Sequence, residues 1–509
     1  MKKFIVLSLV ALLVLVFGTM AFGQAKKEEP KLDFKASGFI DIISNYMVNV
    51  PQAGNSTSAG GATGPTNAFF GPPVNYMMPA FDQAFDKKMS YMETRGRLKF
   101  DAIMGKEMMG TFFFEIDSTR WGERIPAGST SQSNFAGFWG VADRAAVEVK
   151  NMFITAGMPW IPLPVTVQAG IIPMAIRVPA FLATDGPGIT ASVKVDPATI
   201  KLIWMKALEN KDWAADDSDL YGIEASAKIS TMTVGGYALN FNMNTYPVGD
   251  GEPNYSSNVW WYGIYAAGKL GPVNLNADLV FDNGKITDRR PTPPARDVKL
   301  SGWGGILNVS YPWEKFNFGF ASIYGSGADQ KKTSATALPG GTTPWGTTST
   351  KAEAFIIPAG TEGSYGHSLI LCGNGINRMN TGFEPAAKTA HARAAFGGLW
   401  INKLYGSFMV TPQFKTTIEG MYIRDTTDNG NTIGNALKTN GRPRDDSDIG
   451  WEIDWLNTLS ISKNITFGFG GGILFAGKAM DYAVIGAANG TNKEPKDPFF
   501  VTTNLTYSF

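Results

Sequence analysis

The stretch Pro498-Phe-Phe-Val-Thr-Thr-Asn-Leu-Thr-Tyr-Ser-Phe509 ends the chain, and its alternation sets the reading of everything before it. From Phe499 onward one set of alternate positions is Phe499, Val501, Thr503, Leu505, Tyr507 and Phe509. The other set is Phe500, Thr502, Asn504, Thr506 and Ser508. Period two, with an apolar and aromatic face opposite a polar one, specifies a β-strand. A soluble sheet with one wet face gives the same pattern, so its recurrence along the chain is what discriminates.

A terminal strand ending on an aromatic residue, here Phe509, resembles the assembly signal of bacterial outer-membrane β-barrels. The opposite end agrees. Lys2 and Lys3 precede an apolar run, Phe4 to Phe17, interrupted only by Ser8 and followed by small residues at Gly18, Ala21, Gly23 and Ala25. That is a secretory signal over residues 1–25, cleaved after Gly23 or Ala25, and too short for a spanning helix. Residues 26–509 are then the mature barrel.

The alternation recurs throughout. The first strand is expected near 33–50, and a Gly-, Pro-, Asn- and Ser-rich connection follows over 51–88. In Glu93-Thr-Arg-Gly-Arg-Leu-Lys-Phe-Asp101, Glu93, Arg95, Arg97, Lys99 and Asp101 share one face. After the tight turn at Gly105-Lys106, Glu115 and Asp117 share a face of the next strand. Further strands are expected near 143–157, 163–177, 186–195, 199–208, 219–230, 232–246, 257–269, 272–284, 298–311, 315–326, 396–411, 414–425, 448–461, 464–477 and 498–509. The total is about eighteen, the even number that a bacterial barrel requires.

Connections alternate in length. Short ones fall at Asp196-Pro197-Ala198, Gly271-Pro272, Pro312-Trp313-Glu314, Pro412-Gln413 and Ser462-Lys463; long ones at 51–88, 122–142, 327–395, 426–447 and 478–497. The expected fold is all-β: a transmembrane antiparallel up-and-down barrel with short periplasmic turns and long extracellular loops. Lipid offers the backbone no hydrogen-bond partner, so the strands must close on themselves. Trp121, Trp160, Trp204, Trp260, Trp261, Trp313, Trp400, Trp451, Trp455 and Tyr507 lie near strand ends and are assigned to two interfacial girdles.

Composition excludes several functions. The 509 residues include 45 Lys and Arg against 44 Asp and Glu, a net charge of +1 that gives no reason to propose a nucleic-acid partner. One cysteine, Cys372, precludes an internal disulfide, and no Cys-x-x-Cys-His exists for a c-type haem. The two histidines, His367 and His391, fall in or beside the 327–395 segment; no His or Cys cluster suits a metal. Neither catalysis nor a cofactor is expected.

Function is therefore sought on the inward face. The alternation assigns Glu93, Arg95, Arg97, Lys99, Asp101, Glu115, Asp117, Arg144, Glu148, Lys150, Glu224, Lys228, Lys415, Glu419, Glu452 and Asp454 to a water-filled, pore-lining set, with Lys201, Lys269 and Asp278 beside them. An interior so charged is expected to be wet rather than a dry core. The pair Glu452 and Asp454 reads as lumen lining rather than as a hydrolase dyad. Leu399-Trp400, Lys403-Leu-Tyr-Gly-Ser407, Pro412, Phe414-Lys-Thr-Thr-Ile418, Gly450-Trp-Glu-Ile-Asp-Trp455 and Ser462-Lys-Asn-Ile-Thr-Phe-Gly-Phe-Gly470 resemble hairpins of the alginate-export porin family. The resemblance implies an eighteen-stranded barrel that passes an acidic polysaccharide through a lumen rich in Arg and Lys. The balanced signs found here depart from that lumen and favour a less selective porin.

The expectation is thus a passive channel for small hydrophilic solutes, oriented by the Arg95-Arg97-Lys99 row against Glu115 and Asp117. Export of an acidic polysaccharide is the first alternative. The second is a barrel without transport, serving as a surface adhesin or as a sleeve for a partner. Expected partners are outer-membrane lipids, small hydrophilic or oligosaccharide solutes, and the barrel-assembly machinery that reads the strand ending in Phe509. Homo-oligomerisation is left open. The 327–395 segment is expected to fold inward as a constriction.

Overall fold

The computed structural model describes residues 31–49, 88–105, 107–121, 147–177, 181–209, 216–245, 255–290, 296–333, 339–358, 368–371, 396–484 and 486–509. The signal assignment over residues 1–25 lies outside them. In chain order the strands are β1 (Leu32–Val48), β2 (Lys88–Met104), β3 (Met108–Arg120), β4 (Val147–Gly157), β5 (Val165–Ile176) and β6 (Leu182–Val195). Next come β7 (Ala198–Leu208), β8 (Ser218–Ile229), β9 (Met232–Met243), β10 (Tyr255–Leu270), β11 (Val273–Asp288) and β12 (Val298–Trp313). The last are β13 (Phe316–Gly325), β14 (Leu399–Thr411), β15 (Phe414–Asp425), β16 (Asp448–Ser460), β17 (Ile465–Ala476) and β18 (Phe499–Ser508).

The sheet counts nineteen strands, one of which is the two-residue Lys351–Ala352 segment lying parallel to β12. The other eighteen form a closed antiparallel barrel. Each pairs with its sequence neighbours, and β18 pairs with both β17 and β1. Beyond the ladder, Gly38 N donates to Phe509 O at 2.9 Å and Phe509 N donates to Gly38 O at 3.0 Å, so the seam is bonded to the final residue. Closure leaves no edge strand. Among the described residues no helix is long and apolar enough to cross a membrane.

The outer wall is apolar over a band of defined height. On β12, Trp303, Leu307, Tyr311 and Trp313 face outward and are exposed; on β10, Trp260, Tyr262, Ile264 and Leu270 do the same. Trp303 and Trp313 are ten residues apart, which at ~3.3 Å per residue and ~40° of tilt is roughly 25 Å along the barrel axis. An exposed apolar band of that height, rimmed by aromatic residues, matches the hydrocarbon layer of a bilayer. Trp261 is corrected here. It turns inward and is buried, donating from Nε1 to Ile356 O at 2.8 Å. Trp455 faces outward, as its neighbour Asp454 turns in.

Strands of up to 17 residues are longer than this band needs, and above it their polarity reverses. On β12, Val298 and Leu300 are buried inside while Lys299 and Ser301 are exposed outside. On β11, Ile286 is buried and Lys285 exposed. The outer part of the barrel therefore obeys the rule of a soluble protein, polar out and apolar in. Two apolar clusters fill it. One runs from Phe153 and Ile172 through Leu239 and Trp261 to Phe355 and Phe396. The other joins Ile43 and Met47 to Leu369, Ile370, Leu371, Ile423, Leu474 and Phe500. The expectation of a wet interior throughout is corrected: the part facing the long connections is a packed core.

Inside the band, tyrosines lie flat over glycines of the neighbouring strand. Tyr237 covers Gly263, and Tyr265 covers Gly235; each pair is directly opposed in the ladder. A Cβ at Gly263 would stand 2.1 Å from Tyr237 Cζ. Gly263→Ala is expected to destabilise the refolded barrel by about 1–3 kcal/mol through overpacking. Urea midpoints in detergent test this. A change inside the roughly 0.5 kcal/mol seen for neutral surface substitutions would contradict it.

Candidate functional site

The inner face of β2, β3 and β4 carries a dense cluster of charge. Glu115 receives three cations: Arg97 Nη2 at 2.8 Å, Lys150 Nζ at 3.2 Å and Arg95 Nε at 3.5 Å. Lys150 continues to Asp185 at 2.6 Å, and Asn151 Nδ2 also donates to Asp185 at 2.6 Å. Lys99 pairs with Asp101 at 2.9 Å, and Thr111 donates to the same carboxylate at 2.7 Å. Lys150 reaches this cluster because a bulge between β3 and β4 re-aims it beside Asn151. Glu93 is buried on the same face of β2. Arg95, Arg97, Lys99 and Lys150 thus meet Asp101, Glu115 and Asp185, four cations against three carboxylates. They form neighbouring ion pairs on adjacent strands and do not face one another across an open passage. Glu148, opposite Glu115 in the ladder, is exposed. Arg144 and the side chain of Asp117 lie outside the described residues, as do His367, His391 and Cys372.

The other assigned residues lie apart from this cluster. Glu224 accepts from Tyr265 Oη at 2.9 Å. Lys228 and Lys415 are exposed beside short turns. Glu419 pairs with the buried Lys403 at 2.7 Å. Glu452 and Asp454 are buried on β16.

Three inward carboxylates at the outer ends of strands hold loops rather than line a passage. Asp282 accepts from Gly302 N at 2.8 Å and Ile356 N at 3.1 Å. Glu452 accepts from Ser368 Oγ at 2.7 Å and Ile370 N at 3.1 Å. Asp425 accepts from Thr427 N at 2.7 Å, from Thr432 Oγ1 at 2.9 Å and from Thr432 N. A buried carboxylate with several N–H and O–H donors is satisfied, so each is a tether for chain folded in from a connection. Within the described parts of the 327–395 segment, 354–357 and 369–371 are buried against the inner wall, held there through Asp282 and Glu452.

A second inward hook comes from the connection between β5 and β6. Arg177, at φ +53°, leaves the alternation and makes a forked ion pair with Asp278 at 2.6 and 2.7 Å. It also donates to Asn276 and lies 4.2 Å from the Tyr265 ring centroid. Phe181 stacks on Tyr237 at 5.0 Å. Alternation could not have found Arg177, because its positive φ breaks the period. Lys403 and Asp282 were hidden by apolar neighbours on their own face, Ile401 and Val280. Among the described residues no group of three or more His, Cys, Asp or Glu could hold a metal ion.

No family model matches the chain, and no curated protein matches it. Solved structures do resemble it. The crystal structure of Pseudomonas aeruginosa OpdQ has 9% identity and a TM-score of 0.47, covering 94% of this chain and 98% of that one. That of Pseudomonas aeruginosa OpdO has 9% identity and a TM-score of 0.46, covering 93% and 97%. The outer membrane protein OpdK of the same organism has 8% identity and a TM-score of 0.44, covering 93% and 99%.

Glu452→Ala would leave the Ser368 hydroxyl and the Ile370 N–H without their acceptor. It is expected to lower unfolding stability by about 2–4 kcal/mol and to speed protease cleavage in the 327–395 segment. Unchanged stability and cleavage, with folding verified by gel migration, would contradict the tether.

Proposed function

We propose that the chain is an outer-membrane channel through which small hydrophilic solutes diffuse along the charged wall of β2, β3 and β4. The observation that carries this reading is the cluster around Glu115. Toward the long connections, apolar side chains fill much of the inner wall, and the carboxylates of Asp282 and Glu452 hold loops. The bilayer-height apolar band supports a membrane site, and the asymmetry of connections supports the outer membrane with the long ones facing outward. Segment 354–357 packs on the wall opposite this cluster, and 369–371 packs beside it against Ile43, Met47 and Phe500, which supports a constriction made by the 327–395 connection. Mixed signs around Glu115 support weak ion preference over a dedicated route for one polyanion.

Conductance of the refolded protein in planar bilayers tests this. Discrete steps with weak selectivity are expected. Deleting 335–385 should raise unit conductance about twofold or more, because the inserted segments go with it. Lys99→Glu should move the reversal potential in a salt gradient toward cations. Strong anion preference would favour a polysaccharide exporter. No conductance from inserted, folded protein would contradict the channel.

A further inference from the structure

We propose that the outer wall carries a binding site for the phosphate groups of outer-leaflet lipid, built on Lys285, Lys299 and Lys351. The proposal rests on the membrane reading above. The register places Lys285 of β11 directly opposite Lys299 of β12, and Lys299 beside Lys351 on the short parallel segment. At ~4.8 Å between strands, the three Cα atoms fall within about 10 Å. Like charges in directly opposed positions destabilise a sheet unless an anion lies between them. Their neighbours do not remove the excess. Lys285 meets Asp297 at 3.1 Å and Lys351 meets Glu353 at 3.4 Å, while Lys299 makes no ion pair among the described residues. The side chains of Lys285 and Lys351 remain 55% and 47% exposed. Glu353 is also shared with Lys332 at 3.9 Å.

Depth selects the occupant. In the ladder, Lys285 and Lys299 stand two residues above the level of Trp260 and four above that of Trp303. At ~3.3 Å per residue and ~40° tilt, the ammonium groups sit roughly 5–10 Å beyond the aromatic rim. The headgroup layer occupies about 5–8 Å on each side of the hydrocarbon core. Beside the lysines, Asn258 is exposed and accepts from Asn240 at 2.9 Å, which continues the polar surface with amides that suit sugar hydroxyls. Ammonium groups and amides at headgroup depth fit a phosphorylated glycolipid.

The test uses the full barrel in detergent, stripped of lipid, and native mass spectrometry. The probes are a bisphosphorylated acylated glucosamine disaccharide and its phosphate-free form. The wild type should retain the phosphorylated probe at least about tenfold better than the phosphate-free one. The Lys285→Gln, Lys299→Gln, Lys351→Gln triple variant should lose that preference, and Lys299→Arg should keep it. Each variant is scored on its folded fraction, read from heat-modifiable gel migration. Equal retention by the triple variant overturns the site. Full displacement of the lipid by millimolar inorganic phosphate overturns the lipid in favour of a free anion. Failure of the wild type to insert into phosphatidylcholine vesicles overturns the membrane reading instead.

Discussion

The seam between β1 and β18 is the contact on which the rest depends. A strand in hydrocarbon has no water to satisfy an unpaired N–H or C=O, and each unpaired group costs several kcal/mol. With β18 bonded to β17 on one side and to β1 on the other, every strand of the wall has two neighbours. Phe509 extends that bonding to the end of the chain. Outward-facing Val501, Leu505 and Tyr507 can then meet lipid, and inward-facing Thr502, Asn504 and Thr506 can form a polar wall. Thr506 donates to Asp41 and Thr502 to Asn45, which ties the two ends of the chain across the seam.

Once closed, the barrel changes character with depth. The change follows from strand length. Ten residues cross the hydrocarbon, and β10, β11 and β12 each have 16. The surplus stands in water and must bury its apolar side chains inward. The same strand that exposes Trp303 to lipid therefore hides Leu300 in a core. That core needs chain to fill it, and the connections supply it. Asp282, Asp425 and Glu452 each accept at least one backbone N–H from the folded-in connections. Glycine makes the fit at one position: a Cβ at Gly302 would stand 2.7 Å from Phe355 Cα. Along β2, β3 and β4 charge replaces this apolar packing, and that sector is the passage proposed above.

Much of this was legible in sequence. Alternation and turn chemistry placed all eighteen strands to within a few residues, since period two and short turns are local properties. The inward direction of Arg95, Arg97, Lys99 and Glu115 followed from the same period. What alternation could not convey was the reversal of polarity with depth. A face reading Leu239, Phe241, Met243 looks lipid-facing until the height of Trp260 is known. For the same reason Trp261 was taken for a girdle residue beside Trp260. The tethers were equally illegible, because Glu452 meets Ser368 across a sequence separation of 84 residues. A carboxylate that lines water and one that caps a loop carry the same letter.

The central claim is a charged, wet sector beside a dry apolar core within one barrel. Cysteine accessibility in bilayer-inserted protein addresses it directly. After Cys372→Ser, single cysteines replace Lys99 on the charged wall or Leu239 in the core, and a water-soluble charged thiol reagent is applied. Lys99 is 36% exposed at its side chain and Leu239 is fully buried. The account predicts modification at position 99 at least about a hundredfold faster than at position 239, the gap expected between a wet wall and a packed interior. Equal rates at the two positions would mean that water reaches both walls alike, and would contradict it.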